Sequence, residues 1–165
     1  MQRRLILMRH AKSERHGGAA TDHARPLSKR GRRDAPRMAA WLVDHGWKPD
    51  AVVSSDATRT RQTWEHMAPW FEPDPPAVRF HNGLYLASLG ALQRVSVDWA
   101  PAWGTVLALG HNPGWEQAVA HLSGVQEYMP TAACALLHGA GETWAEALEG
   151  RWRLERLLRP RELPQ

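Results

Sequence analysis

The residues of this 165-residue chain that are best placed to do chemistry are Arg9 and His10, which follow the apolar run 5–8. A short apolar run predicts a buried strand, and ligands of open α/β sheets bind just beyond the carboxyl ends of strands. A guanidinium is permanently charged and an imidazole can act as a nucleophile, so the pair is typical of phosphate chemistry. A lone histidine after a strand is more often structural, so other strand ends must support this interpretation.

Two further predicted strands end in residues of the same chemical types. The run 51–54 is followed by Ser55 and Arg59, and the run 105–110 is followed by His111. Taken singly, the arginine is compatible with an exposed helix position and the histidine with a plain turn. Taken together, they lie beyond strands whose carboxyl ends share one edge of a parallel sheet. The sequence therefore predicts two imidazoles and two guanidiniums in one pocket.

Strands and helices must alternate to bring these groups together. Strands are predicted at 5–8, 51–54, 78–81, 105–110 and 132–137. Helices are predicted from Ser28 to Gly46, and over 58–70, 89–97 and 115–122. Alternation implies right-handed crossovers and a mostly parallel sheet with helices on both faces. We expect an α/β fold, a three-layer α/β/α sandwich.

Three local features refine this prediction. Ser28 is a candidate helix cap, but Pro36 is awkward inside a helix, so the regular helix is expected to start close to it. Residues 16–26 have no apolar periodicity and predict a long loop over the end of the first strand. Segments 144–148 and 151–158 alternate, which predicts two antiparallel strands at a sheet edge.

Length and composition indicate one soluble domain over residues 1–165, because 43% of residues are hydrophobic and 23% are charged. Cys134 lies in an apolar stretch and is expected to be a buried, inert thiol. No apolar segment approaches 18 residues and no signal region is evident, so we expect a cytoplasmic protein without membrane association.

Lysine and arginine outnumber the acidic residues by 21 to 17, giving a formal net charge of +4. Much of the excess lies in two clusters, at 29–33 and 151–161, which read as solvated faces. No basic motif with interleaved aromatic residues accompanies them, so nucleic acid is not expected as a partner. A small anionic substrate is the simpler interpretation.

The chain resembles the histidine phosphatase superfamily, in the branch named for an Arg-His-Gly motif. Residues 7–11 match its first motif, 54–63 its second and 110–113 its third, although Ala11 stands where many members have glycine. Residues 25–31, 84–88 and the Asn112–Pro113 pair are similar to small phosphohistidine phosphatases of the SixA type. The resemblance implies a phosphoglycerate mutase-like fold.

The resemblance also implies a role for each site residue. His10 would attack phosphorus and form a phosphohistidine intermediate, while Arg9, Arg59 and His111 would hold the phosphoryl oxygens. We expect the arginines to lower the pKa of His10, and its other ring nitrogen to donate to a backbone carbonyl. Lys12 would contact substrate or lie in solvent. No metal or cofactor is required.

The leaving group separates the candidate substrates. A phosphomonoester releases a basic alkoxide that needs a general acid, whereas phosphohistidine can release neutral imidazole. Residues 80–85, where ester-cleaving relatives usually carry an acid, contain no carboxylate. The sequence thus favours phosphohistidine on a phosphotransfer or signalling protein, or another phosphoramidate.

Two alternatives remain open. A broad-specificity phosphomonoesterase would need a carboxylate near the pocket, for which Asp56 is the first candidate, followed by Glu14 and Asp22. A phosphate-binding module without turnover would trap no phosphorylated His10. The sequence makes no prediction about the oligomeric state.

Overall fold

The computed structural model describes residues 1–15 and 19–164. Within this part of the chain there are six strands: β1 (Gln2–Arg9), β2 (Ala51–Ser55), β3 (Ala77–His81), β4 (Thr105–Gly110), β5 (Cys134–Ala140) and β6 (Arg153–Leu158). The helices are α1 (Lys29–Asp44), α2 (Thr58–Met67), α3 (Leu89–Val95), α4 (Gly114–Ser123) and α5 (Trp144–Glu149).

The six strands form one sheet in the order β3-β2-β4-β1-β5-β6. The first four of these strands are parallel, so their carboxyl ends lie at one edge. β5 pairs antiparallel with β1, and β6 pairs antiparallel with β5. The predicted mostly parallel sheet with an antiparallel edge is confirmed.

Both faces of the sheet are covered, as side chains along β1 show. Leu5 and Leu7 pack in a core cluster with residues of α3, α4 and α5. Ile6 and Met8 point to the other face and pack with residues of α1 and α2. Successive strand residues face opposite sides, so a strand covered on both faces must be continuously apolar. The predicted α/β/α sandwich is confirmed.

Helix α1 begins directly after Ser28, the predicted cap, and not close to Pro36. The Ser28 hydroxyl caps the helix by accepting the Gly31 N–H at 3.2 Å, and Pro36 lies inside the helix rather than in its first turn. The expected start close to Pro36 was therefore wrong. Pro36 has no N–H and so removes one hydrogen bond from the helix. The Ser28 cap and the buried face that includes Met38 and Leu42 offset this loss.

The segment 144–148, predicted as a strand, is helix α5. The Thr143 hydroxyl caps it by accepting the Glu146 N–H at 3.1 Å. Trp144, Ala147 and Leu148 are buried, which is the spacing of one helix face. In a segment this short, the apolar pattern fits the period of a helix and that of a strand. Only the Thr143 cap and the packing distinguish the helix from the strand. The antiparallel edge consists of β5 and β6 alone.

The remaining boundaries shift by a few residues. The predicted helix 58–70 ends at Met67 and continues as a 3-10 turn, Ala68–Phe71.

Cys134 is fully buried, as predicted, and burial raises the pKa of its thiol. None of the helices in the described ranges is long and apolar enough to cross a membrane.

Candidate active site

His10 and His111 lie side by side at the carboxyl edge of the parallel strands. His10 follows β1 and His111 follows β4, and their ring centroids are 5.4 Å apart. The backbone N–H of His10 donates to the carbonyl of Gly110 at 3.0 Å, which continues the β1–β4 pairing to the site. The two histidines are 6% and 1% exposed, so both rings are largely withdrawn from water.

The two predicted arginines approach this pair from different elements. Arg9 is the last residue of β1, and its Nη1 donates to the carbonyl of Met129 at 3.0 Å. Arg59 lies in the first turn of α2, and it is 2% exposed. Positive charge from both guanidiniums acts on His10. The structure therefore brings together the four residues that the sequence places at strand ends.

The segment before β5 completes the surroundings of Arg9 and His10. The backbone N–H of Ala132 lies 3.1 Å from the carbonyl oxygen of Arg9 and 2.9 Å from that of His10. The carbonyl of Met129, which accepts from Arg9, also accepts from Nδ2 of Asn112 at 3.0 Å. This segment ties the end of β1 to the residue after His111.

The ring of His10 is held in one tautomer. Its Nδ1 lies 2.7 Å from the carbonyl oxygen of Ala11. A carbonyl can only accept, so Nδ1 carries the proton and donates, as predicted, and Nε2 keeps its lone pair. The pKa of His10 is lowered to about 3. Burial is the largest cause, and His111 and the two arginines add to it, so the guanidiniums are not the main cause that the sequence suggested.

His111 is also neutral in this environment. Burial lowers its pKa to about 3, with the charge of Arg59 as the next cause. Its Nε2 lies 2.8 Å from the hydroxyl oxygen of Ser55, the last residue of β2. The sequence placed Ser55 directly after a predicted strand and inside the second motif, but it assigned Ser55 no role. Its contact depends on a side-chain direction that no motif specified.

The site contains buried side-chain nitrogens with no partner among the described residues. They are Nε of Arg9, Nε of Arg59 and Nδ1 of His111. Buried polar groups without partners are rare in folded proteins, and here three of them belong to the residues grouped around His10. Planar guanidiniums and a neutral imidazole N–H suit the oxygens of a phosphoryl group. The arrangement can hold such a group beside Nε2 of His10.

The carboxylate at this site is Asp22, which the sequence ranked behind Asp56. Asp22 accepts hydrogen bonds from Nη2 of Arg59 at 3.1 Å and from the hydroxyl of Tyr85, and it forms an ion pair with Arg25, whose Nε lies 2.9 Å away. The hydrogen bond from Tyr85 is the largest favourable cause that lowers the pKa of Asp22 to about 2. Asp22 is therefore ionised at neutral pH.

Asp56, the first carboxylate predicted, has different partners. It contacts Nε2 of His23 at 2.8 Å and Nδ2 of Asn82 at 3.3 Å. The hydrogen bonds described for Glu14 involve its backbone. Neither carboxylate contacts the four strand-end residues in the part of the chain that is described.

The ring of Tyr85 packs edge-on against the ring of His111, a contact that the sequence did not indicate.

Lys12 contributes its backbone to the site region. Its carbonyl oxygen accepts from the N–H of Ser28 at 2.8 Å and from the Ser28 hydroxyl at 3.0 Å. Contact between the Lys12 side chain and substrate stays a prediction.

The beginning of the predicted loop, residues 16–18, lies outside the described residues. In the described ranges, no group of three His, Cys, Asp or Glu side chains could hold a metal ion.

Known proteins are similar to this chain in sequence. The profile of the histidine phosphatase superfamily, branch 1, matches residues 5–95. An uncharacterised chloroplastic protein of Arabidopsis thaliana is 39% identical over 172 residues, which cover 97% of this chain and 79% of that protein.

Solved structures assigned as the phosphohistidine phosphatase SixA have the same fold. The one from Nakamurella is 28% identical, with a TM-score of 0.81, and the match covers 97% of each chain. The one from Agrobacterium tumefaciens is 25% identical, with a TM-score of 0.79, over 96% of this chain and 98% of that one. The sequence profile covers more than half of the chain and the fold agrees with it, so the chain belongs to branch 1 of the histidine phosphatase superfamily.

Proposed function

We propose that the chain hydrolyses phosphohistidine, or a closely related phosphoramidate, through a phosphorylated His10. Superfamily membership supports a phosphatase activity. The observation that carries the route through His10 is the state of its ring. Its Nδ1 donates to the carbonyl of Ala11, so the Nε2 lone pair is free, and buried nitrogens of Arg9, Arg59 and His111 lack partners among the described residues.

The reaction is proposed in two displacements. Nε2 of His10 attacks phosphorus, and the bond between phosphorus and the substrate imidazole breaks. The substrate ring reacts in its cationic form, with a proton on the nitrogen that does not bear phosphorus, so it departs as neutral imidazole. Water then attacks the phosphorus of phosphorylated His10, and the bond to Nε2 breaks. The water protons leave with inorganic phosphate, and the His10 ring is neutral again. Both displacements pass through a state with negative charge on three equatorial oxygens.

The surrounding residues would stabilise that charge. Arg9 and Arg59 have guanidinium nitrogens that lack protein partners among the described residues, and His111 has a ring nitrogen in the same condition. Donors already in place need no reorganisation during the reaction, which is the main source of their effect on rate. A low pKa keeps His10 unprotonated at neutral pH and therefore nucleophilic.

The charge of Asp22 favours nitrogen over oxygen as the leaving atom. An alkoxide leaving group needs a protonated acid near the pocket. The carboxylate found against Arg59 has a pKa of about 2 and carries no proton at neutral pH. A phosphoramidate whose leaving group is neutral imidazole does not need a protonated acid. The SixA assignment of the solved structures supports the same substrate class.

Phosphate release from phosphoimidazole and from a peptide bearing phosphohistidine tests the proposal. We expect turnover by the unaltered chain and its loss in His10→Ala. His121→Ala replaces an exposed histidine on α4 and is the matched control. Brief reaction and digestion should locate acid-labile phosphate on the His10 peptide. Undiminished release by His10→Ala would refute the proposal.

A phosphomonoesterase is the second candidate, because one carboxylate, Asp22, does contact Arg59. Comparison of an alkyl phosphate with phosphoimidazole separates the two. Faster turnover of the alkyl phosphate, lost in Asp22→Asn, would favour the esterase and assign Asp22 as its acid. We expect the opposite preference.

A further inference from the structure

We infer that Ser55 is a positioning residue that fixes the tautomer of His111, so that Nδ1 of His111 carries the proton and faces a phosphoryl oxygen as a donor. The inference rests on the proposed function for its chemical meaning. The hydrogen-bond geometry that supports it is independent of any substrate.

The hydrogens around Ser55 can be assigned by elimination. Its hydroxyl oxygen accepts the backbone N–H of Ala57 at 3.2 Å and lies 2.8 Å from Nε2 of His111. Ser55 is fully buried, so water does not offer another acceptor. If Nε2 were the donor, the hydroxyl hydrogen would have no acceptor among the described residues. When the hydroxyl donates to Nε2 instead, both partners of this bond are satisfied.

This assignment leaves the ring proton on Nδ1. That atom is buried and has no partner among the described residues. It belongs to a ring packed 5.4 Å from the ring of His10, measured between centroids. A donor N–H at this place matches the unpartnered guanidinium nitrogens of Arg9 and Arg59. An anion would satisfy all three at once.

The backbone holds the Ser55 hydroxyl in place. Its carbonyl oxygen accepts from the hydroxyl of Ser54 at 2.8 Å and from that of Thr60 at 2.8 Å. Thr60 lies on α2, one residue beyond Arg59, so the same turn that positions the arginine also fixes the end of β2. The direction of the Ser55 hydroxyl is thus set by β2 and α2 together.

The tautomer matters because His111 is neutral. A cationic imidazole would donate from both nitrogens, whereas a neutral ring donates from only one. With the proton on Nε2, the ring would present a lone pair to a negatively charged oxygen and repel it. Through its effect on His111, Ser55 determines whether the pocket has a third donor or a repulsive acceptor.

The tautomer can be measured directly. Proton–nitrogen correlation NMR of the ring nitrogens, on uniformly ¹⁵N-labelled protein, distinguishes Nδ1–H from Nε2–H. We expect His111 to be Nδ1–H in the unaltered chain and to lose that preference in Ser55→Ala. His10, whose proton is held by Ala11, should remain Nδ1–H in both and serves as the internal reference. A His111 ring found as Nε2–H in the unaltered chain would overturn the inference without any variant.

Two variants control for a purely structural effect. Ser96→Ala removes another buried serine hydroxyl, which donates to the Gln93 carbonyl at 2.7 Å and not to Ser55 or His111, and should keep the Nδ1–H tautomer and normal turnover. Ser55→Thr keeps a hydroxyl and should retain the tautomer. We expect kcat/KM for phosphoimidazole to fall about tenfold or more in Ser55→Ala. The reason is that His111 would no longer donate a hydrogen bond from Nδ1 to the charged phosphoryl oxygen.

The failure of this inference differs from the failure of the proposed function. If the unaltered chain releases no phosphate from phosphoimidazole, the function is refuted, but the NMR result still decides the role of Ser55. If turnover is normal and Ser55→Ala keeps both the Nδ1–H tautomer and full kcat/KM, the role of Ser55 is refuted and the function stands.

Discussion

The carboxylate of Asp22 accepts a hydrogen bond from the guanidinium of Arg59 at 3.1 Å, and the Asp22 carbonyl accepts a second from the same group at 2.8 Å. This buried arginine is therefore engaged by a negatively charged group. A phosphoryl group that approaches Arg59 must share or displace that contact. Asp22 thus opposes anion binding even though it helps to hold Arg59.

Asp22→Asn should bind oxyanions more tightly. The substitution removes the negative charge but leaves the backbone carbonyl that holds Arg59. With a pKa of about 2, Asp22 is charged at every pH where the protein would be assayed. We expect the inhibition constant of orthovanadate to fall on the order of fivefold, as for a partly exposed charge near an anion.

Asp44→Asn supplies the control, because it removes one negative charge at the exposed end of α1. It should leave vanadate inhibition unchanged. Weaker inhibition of Asp22→Asn would mean that the carboxylate serves mainly to order the pocket.

The rate should show no acid limb at the ordinary histidine pKa. Burial lowers the pKa of His10 to about 3, so the neutral form of its ring persists as the pH falls from 8 to 5. We expect kcat/KM for phosphoimidazole, corrected for the titration of the substrate itself, to stay level over this range. Circular dichroism at each pH would confirm that the chain remains folded. A midpoint near 6.5 that belongs to the free enzyme would contradict the neutral, buried state of His10.

Stability should decline with acid although activity does not. The pKa values of His10 and His111 are about 3 in the folded chain and near 6.5 when unfolded. Below pH 6.5 the unfolded state binds more protons, so the free energy of unfolding falls as the pH drops toward 3. Each histidine contributes about 1.4 kcal/mol per pH unit.

Guanidinium chloride unfolding at pH 6.5, 5.5 and 4.5 measures this effect. His10→Ala removes one of the two groups, so its stability should fall less steeply, by about 1.4 kcal/mol per unit below pH 6. Parallel curves for the variant and the unaltered chain would show that His10 is not buried in the neutral form.

Gly31→Ala should disturb the site from a distance. A Cβ atom at Gly31 would lie 2.2 Å from the carbonyl oxygen of Lys12, so α1 must move away from the loop that follows His10. We expect a loss of about 1–3 kcal/mol in the free energy of unfolding, together with a lower kcat/KM. Gly83→Ala is the matched control, because a Cβ there meets nothing within 4 Å. Equal stability of the two variants would count against this packing argument.

The strand-end residues could be predicted because parallel topology makes their convergence independent of loop paths. Arg9, His10 and His111 follow from the ends of β1 and β4 alone. Asp22 and Tyr85 could not be predicted in the same way. Their contact joins two loops 63 residues apart, and no periodicity fixes where such loops run.

The main cause of the low His10 pKa was also inaccessible to the sequence. The neighbouring charges are visible as residue types, but burial depends on how the surrounding segments pack. The same reason applies to the helix at Trp144, where an ambiguous short pattern was resolved by packing and by the Thr143 cap. Properties that depend on packing were predicted least well.

The contacts of the 129–132 segment have a consequence for synthesis. Met129 and Ala132 supply the carbonyl and the N–H that hold Arg9 and His10. A nascent chain that has emerged only as far as His111 already contains all four strand-end residues, yet it lacks both of these partners. Arg9 and His10 therefore lack two of their hydrogen-bond partners until the segment before β5 has joined the sheet beside β1.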